Sequence, residues 1–163
     1  MPVRIGDLLV QAGVLTELMR DEILEEQRIL GRPFGQLAER MFGIDPDVIE
    51  QAWAEQYESL AGVVDLSTFT IDSQAVEAVT SRQAWQFKLL PIAFRHGELM
   101  ICTPRVNLPR ALRFAATQLA EACFFVVADV DQLADQLQRH HPMPGLGPET
   151  LIQPAPKLRP RAA

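Results

Sequence analysis

The chain has 163 residues, 48% of them hydrophobic and 22% charged, a globular composition sufficient for one domain or two small ones sharing a core. Acidic residues outnumber basic ones 21 to 15, a net charge of −6. That balance excludes a non-specific DNA or RNA binder, which needs concentrated Lys and Arg, but leaves room for a small phosphorylated ligand held by one or two arginines.

Residues 1–60 are the acidic part, with 12 Asp and Glu against 5 Lys and Arg, and they repeat themselves at an offset of 29. Gly6 falls on Gly35, Leu8 on Leu37, Glu26 on Glu55 and Gln27 on Gln56, while Ile5, Leu15 and Leu24 match the apolar Phe34, Ile44 and Trp53. Each unit reads as a short helix, a turn and a longer helix. In the first, Ile5, Leu8, Leu9 and Ala12 have helical spacing and Gly13 is a C-terminal stop; Thr16 then caps a helix running to about Glu26. In the second, Gly43 ends a helix, Asp45 caps the next with Pro46 at its first position, and Val48, Ile49, Ala52 and Trp53 form its stripe. Four helices follow, as two antiparallel pairs related by a pseudo-twofold. Gly6 and Gly35 lie inside helical patterns, where glycine costs about 1 kcal/mol relative to alanine. Either a helix packs closely there or backbone approaches a ligand.

Residues 61–141 read as α/β. Residues 63–71 are extended with one short strand, Asp72 or Ser73 caps a helix through Val79, and 81–87 form a helical turn. A strand at 88–94, with Pro91 near an edge, turns at His96-Gly97 into a second strand at 98–103. A loop at 104–107, a helix at 108–119 with Pro109 in its first turn, a strand at 123–128 and a helix to about Gln138 complete this part. From Pro142 to Ala163 six prolines interrupt scattered apolar residues, so that stretch reads as a disordered tail or linker. The fold expected is α+β, an N-terminal four-helix repeat region packed with a small α/β sandwich domain.

No catalytic signature is present. There is no Gly-rich phosphate loop ending in Lys-Ser/Thr and no nucleophile elbow, and the carboxylates Asp21, Glu22, Glu25 and Glu26 are a helix's solvated face. His96 belongs to a turn, and His140 with His141 has no third ligand in view, so neither a catalytic nor a metal site is expected. Cys102 and Cys123 have apolar neighbours and read as buried thiols. Near the N-terminus Arg4 and Asp7 interrupt any secretory run, and no stretch approaches the roughly 20 apolar residues of a membrane span. A cytoplasmic protein without membrane insertion is the expectation.

The segment RIGDLLVQAGVLTELMRDEILEEQ at 4–27 resembles the first motif of the N-terminal domain of type II secretion and type IV pilus assembly ATPases, in the MshEN branch that binds cyclic di-GMP. Arg4, Ile5, Gly6, Leu9, Gly13, Leu24 and Gln27 fit the family pattern, Arg20 stands where a leucine is usual, and residues 28–32 are the spacer between motifs. In the second motif, 33–56, Phe34, Gly35 and Gln56 fit; Pro33 replaces the arginine, and Ala38, Phe42 and Trp53 replace Leu, Gly and Leu. Arg32, one residue earlier, is the candidate substitute for the lost arginine if the backbone turns it inward. KLLPIAFRHGELMICTPRVNLPRALRFAA and VVADVDQLADQL are similar to the family's α/β part, although Thr103 precedes Pro104 where Asp is common. The resemblance covers about residues 3–139 and stops short of the ATPase core, as in a stand-alone homologue or a fragment ending in a Pro-rich linker.

The resemblance implies a non-catalytic regulatory domain that binds cyclic di-GMP through Arg4, Ile5, Gly6, Leu9, Gly13, Leu24, Gln27, Arg32, Phe34, Gly35, Trp53 and Gln56, with no other cofactor. Leu9, Leu24 and Trp53 are equally open to a core role, and Arg4 to a solvated one. The alternative is a docking module that grips a secretion, pilus or polysaccharide machinery protein without a nucleotide. The two readings differ in whether Arg4 and Arg32 face one shared groove.

Overall fold

A computed structural model describes residues 3–49 and 61–152 of the chain. The first strand, β1 (Val3–Arg4), leads directly into α1 (Ile5–Gln11). Ile5, Leu8 and Leu9 are buried along α1, and the chain turns at Gly13 with φ of 75°. α2 (Glu17–Leu30) starts at Thr16, whose hydroxyl accepts from the Met19 N–H at 3.1 Å. It runs one turn beyond the expected end at Glu26, because the first residue suited to a left-handed stop is Gly31, with φ of 62°. The spacer at 28–32 is thus mostly helix. α3 (Phe34–Phe42) ends at Gly43, φ 66°. Asp45 then accepts the Asp47 N–H on its side chain at 2.8 Å, and residues 46–49 are helical. The rest of the expected fourth helix, including Trp53 and Gln56, lies outside the described residues. Val48, expected on the apolar stripe, is exposed, while Ile49 is buried.

The α/β part follows its sequence pattern with two exceptions. The short strand expected within 63–71 is a single bridge from Val63 to Val127. Asp65 stops it: its carboxylate accepts from Ser67 N at 3.0 Å and from Gln132 Nε2 at 3.1 Å, folding 66–68 into a turn. The helix expected through Val79 is shorter, α4 (Ser73–Val76), capped by Asp72. α5 (Ser81–Phe87) has a complete capping box between Thr80 and Gln83. β2 (Leu90–Arg95) and β3 (Glu98–Thr103) form a hairpin in which His96 (φ 53°) and Gly97 (φ 78°) supply the two positive φ angles of a tight turn. α6 (Leu108–Gln118) crosses over to β4 (Cys123–Val127), and α7 (Val130–His140) is capped by Asp129.

The sheet order is β1-β4-β3-β2, with β3 and β4 parallel and the outer pairings antiparallel. Pro91 therefore sits on an edge strand, where its missing N–H is tolerated. The helical repeat contributes an edge strand to the sheet and also packs α3 on α6. Gln36 Nε2 donates to the Thr117 carbonyl at 3.0 Å, and Gly35 lies against Ala116. One continuous core runs from Ile5 to Leu151.

The stretch from Pro142, expected as a disordered tail, is folded as far as Ile152. His141 is buried: its Nδ1 lies 3.0 Å from Ser81 Oγ, its Nε2 3.0 Å from the Val76 carbonyl, and its own carbonyl accepts from Trp85 Nε1 at 2.7 Å. That clamp returns the chain to the core, where Met143 and Leu146 pack and α8 (Pro148–Ile152) buries Leu151. Scattered apolar residues need no periodic face when each fills a separate niche. Leu151→Ala should accordingly cost about 2 kcal/mol in urea unfolding, whereas a disordered tail would leave the midpoint unchanged.

Candidate functional site

Strand pairing fixes the position of Arg4. It pairs with Phe124 on β4, and Phe124 pairs in turn with Met100 on β3. Glu98 stands two residues before Met100, on the same side of the strand. Arg4 Nε and Glu98 Oε2 accordingly lie 3.0 Å apart as an ion pair. The N–H is not aimed at that oxygen, so Oε2 has charge compensation without a hydrogen bond among the described residues. Burial pushes the Glu98 carboxyl above its ordinary value of 4.5; Arg4 pulls it back, Asp7 adds to the rise, and His96 opposes it.

Above this pair opens a recess of about 390 Å³, counting space open to solvent. Its walls come from Arg4, Ile5, Gly6 and Asp7 at the start of α1, and from Arg20, Leu24 and Gln27 along one side of α2. Phe34 joins them from α3, and Glu98, Glu121 and Cys123 from the sheet end. A wider recess of about 830 Å³ continues from it past Arg28, Gly31 and Gly97, sharing Leu24, Gln27 and Glu98. Gln27 is 4% exposed, and its Oε1 has no hydrogen-bond partner among the described residues. A buried, unpaired acceptor costs about 1–3 kcal/mol, which a ligand N–H or O–H would recover. Arg20 crosses the recess, donating from Nη1 to Asp7 Oδ1 at 2.8 Å and from Nε to Asp21 Oδ1 at 3.1 Å.

The recess brings together six of the residues singled out in the sequence: Arg4, Ile5, Gly6, Leu24, Gln27 and Phe34. Leu9 is fully buried core and Gly13 forms the turn after α1. Arg32 is exposed and outside the recess that Arg4 lines. Gly35 belongs to a helix contact and borders a different recess, with Gln36, Ile49, Arg113 and Ala116. Trp53 and Gln56 fall outside the described residues. Sequence reasoning missed Asp7, Arg20, Glu98, Glu121 and Cys123. Arg20 was marked by its departure from leucine; Glu98 had no local signal, because only the pairing of β4 with both β1 and β3 brings it to Arg4. Burial, with the Glu98 and Glu121 carboxylates nearby, pushes the Cys123 thiol up to about 12; burial does the same at Cys102. Both are free thiols held in the neutral form.

No group of three or more His, Cys, Asp or Glu side chains among the described residues could hold a metal ion, and no helix among them is long and apolar enough to cross a membrane. No family model and no curated protein matches the chain. Among solved structures it is similar to MshE with cdg, at 26% identity over 85% of this chain and 99% of that one, with a TM-score of 0.43.

Two predictions follow from the packing and charge of this region. A Cβ on Gly35 would stand 2.8 Å from the Ala116 carbonyl oxygen and 3.2 Å from its Cβ. Gly35→Ala should therefore destabilise by about 1 kcal/mol or more despite alanine's better helix propensity; a raised urea midpoint would contradict the close contact. For Glu98, the unfolded state loses its proton first as pH rises past 4.5. Stability attributable to this carboxyl then falls until the folded-state group also ionises. In melts from about pH 4 to about pH 8, Tm of the native protein should fall relative to Glu98→Gln on the acidic side and hold a constant gap thereafter. Parallel profiles would show that burial does not perturb Glu98.

Proposed function

We propose that the recess beneath α1 and α2 binds cyclic di-GMP and that the chain is a non-catalytic regulatory domain of the kind that precedes secretion and pilus assembly ATPases. The observation that carries this reading is the meeting of Arg4, Gly6 and Gln27 with an unpaired Gln27 carbonyl in one solvent-open recess. Arg4 offers a planar guanidinium to a phosphate or guanine, Gln27 an acceptor to a ribose hydroxyl or base N–H, and Ile5, Leu24 and Phe34 apolar surface to the base face. Binding has a cost specific to this chain. Two guanidinium groups in the lining face three carboxylates, Asp7, Glu98 and Glu121, so an incoming phosphate competes with Glu98 for Arg4.

That same competition, together with Arg32 lying exposed outside the recess that Arg4 lines, favours a second reading, a domain that docks a secretion or pilus machinery protein with Arg4 kept structural. Calorimetric titration with cyclic di-GMP, with GTP as control, separates the two. Saturable binding that Arg4→Ala weakens by about tenfold or more supports the ligand reading. Absence of heat at millimolar ligand, with no thermal shift, overturns it in favour of docking.

A further inference from the structure

We infer that Arg20 is the second phosphate-binding guanidinium of the recess, an inference that rests on the cyclic di-GMP reading above. Cyclic di-GMP carries two phosphates on one ring, so a single arginine leaves half its charge uncompensated. The position equivalent to Arg4 in the second repeat holds Pro33, which has no charge to offer, and Arg32 is exposed outside the recess. Arg20 enters the recess from α2 and lines it together with Arg4.

Three features prepare it for that role. Its stem lies across Gly6: a Cβ there would meet Arg20 Cγ at 2.8 Å and Cδ at 3.2 Å, so the glycine leaves the room that lets the side chain reach the recess. Its head is held by two carboxylates, with Nη1 on Asp7 at 2.8 Å and both Nε and Nη2 near Asp21 at 3.1 Å. Those contacts occupy at most three of the five N–H donors of a guanidinium and leave the others for an anion. Arg20 is also less exposed (24%) than Asp7 (40%) or Asp21 (62%), so its two carboxylates are the better solvated partners and compete less with a bound phosphate.

The test pairs the ligand with one lacking the second phosphate: calorimetric titration of cyclic di-GMP and of the linear dinucleotide GpG, which has a single phosphate, against the native protein, Arg20→Leu and Arg20→Lys. Loss of a charge-assisted contact predicts that Arg20→Leu weakens cyclic di-GMP by about tenfold or more while changing GpG by less than about twofold. Arg20→Lys keeps the stem and charge without the planar fork; it should give a smaller loss in the same direction, and it carries the comparison if the leucine variant does not fold. Equal weakening of both ligands would make Arg20 structural and overturn the inference, as would unchanged binding of both. Failure of the native protein to bind either ligand would overturn the recess reading itself and this inference with it.

Discussion

Two residues of strand hold this architecture together. Val3 and Arg4 pair antiparallel with Phe125 and Phe124, and so attach an otherwise helical segment to the edge of a sheet built from the other end of the chain. Everything around the recess follows from that register. A shift of one residue would turn Arg4 to the opposite face and leave Glu98, half-buried at the start of β3, without its cation. The pairing also sets where α1 begins, since Arg4 is at once the last strand residue and the extended residue preceding the helix. Gly6 and Asp7 then fall in the first turn, facing Arg20 across the gap to α2.

The recess is electrostatically poised rather than basic. Each arginine already has a carboxylate, and Glu98 and Gln27 each bury an oxygen without a hydrogen bond among the described residues. Such an arrangement stores unfavourable desolvation that a ligand with donors and phosphates can relieve by exchanging partners. It also sets a threshold. A ligand carrying negative charge alone meets an excess of carboxylates, so recognition requires charge and hydrogen-bond donors in one molecule. A guanine dinucleotide has both, which is why the acidic composition of the N-terminal part does not by itself decide against it.

Most of the fold was legible because its punctuation is local. Thr16 and Asp72 cap helices through their own side chains, Gly13 and Gly43 stop them, and His96-Gly97 turns the hairpin. The errors arose where a distant partner decided the outcome. Asp65 folds its segment away from a strand by bonding Gln132, and His141 anchors the supposed tail by reaching Ser81 and Val76. The site divides the same way. The repeat brought Ile5, Gly6, Leu24, Gln27 and Phe34 to attention and the family resemblance added Arg4, and these share the recess. Leu9 and Gly35 carry the same pattern for packing reasons: one fills the core, and the other admits the Ala116 backbone. Glu98 was invisible because sheet order is not written in a linear pattern.

On the reading proposed above, α1, α2 and the end of β3 form one ligand-binding recess. Its most direct test is an NMR titration with cyclic di-GMP that follows the Hε signals of Arg4 and Arg20 and the side-chain amide of Gln27. The account predicts that all three move together and saturate at one ligand concentration. Unchanged positions for these signals, or perturbations confined to the far side of α6 around Arg110, would contradict it.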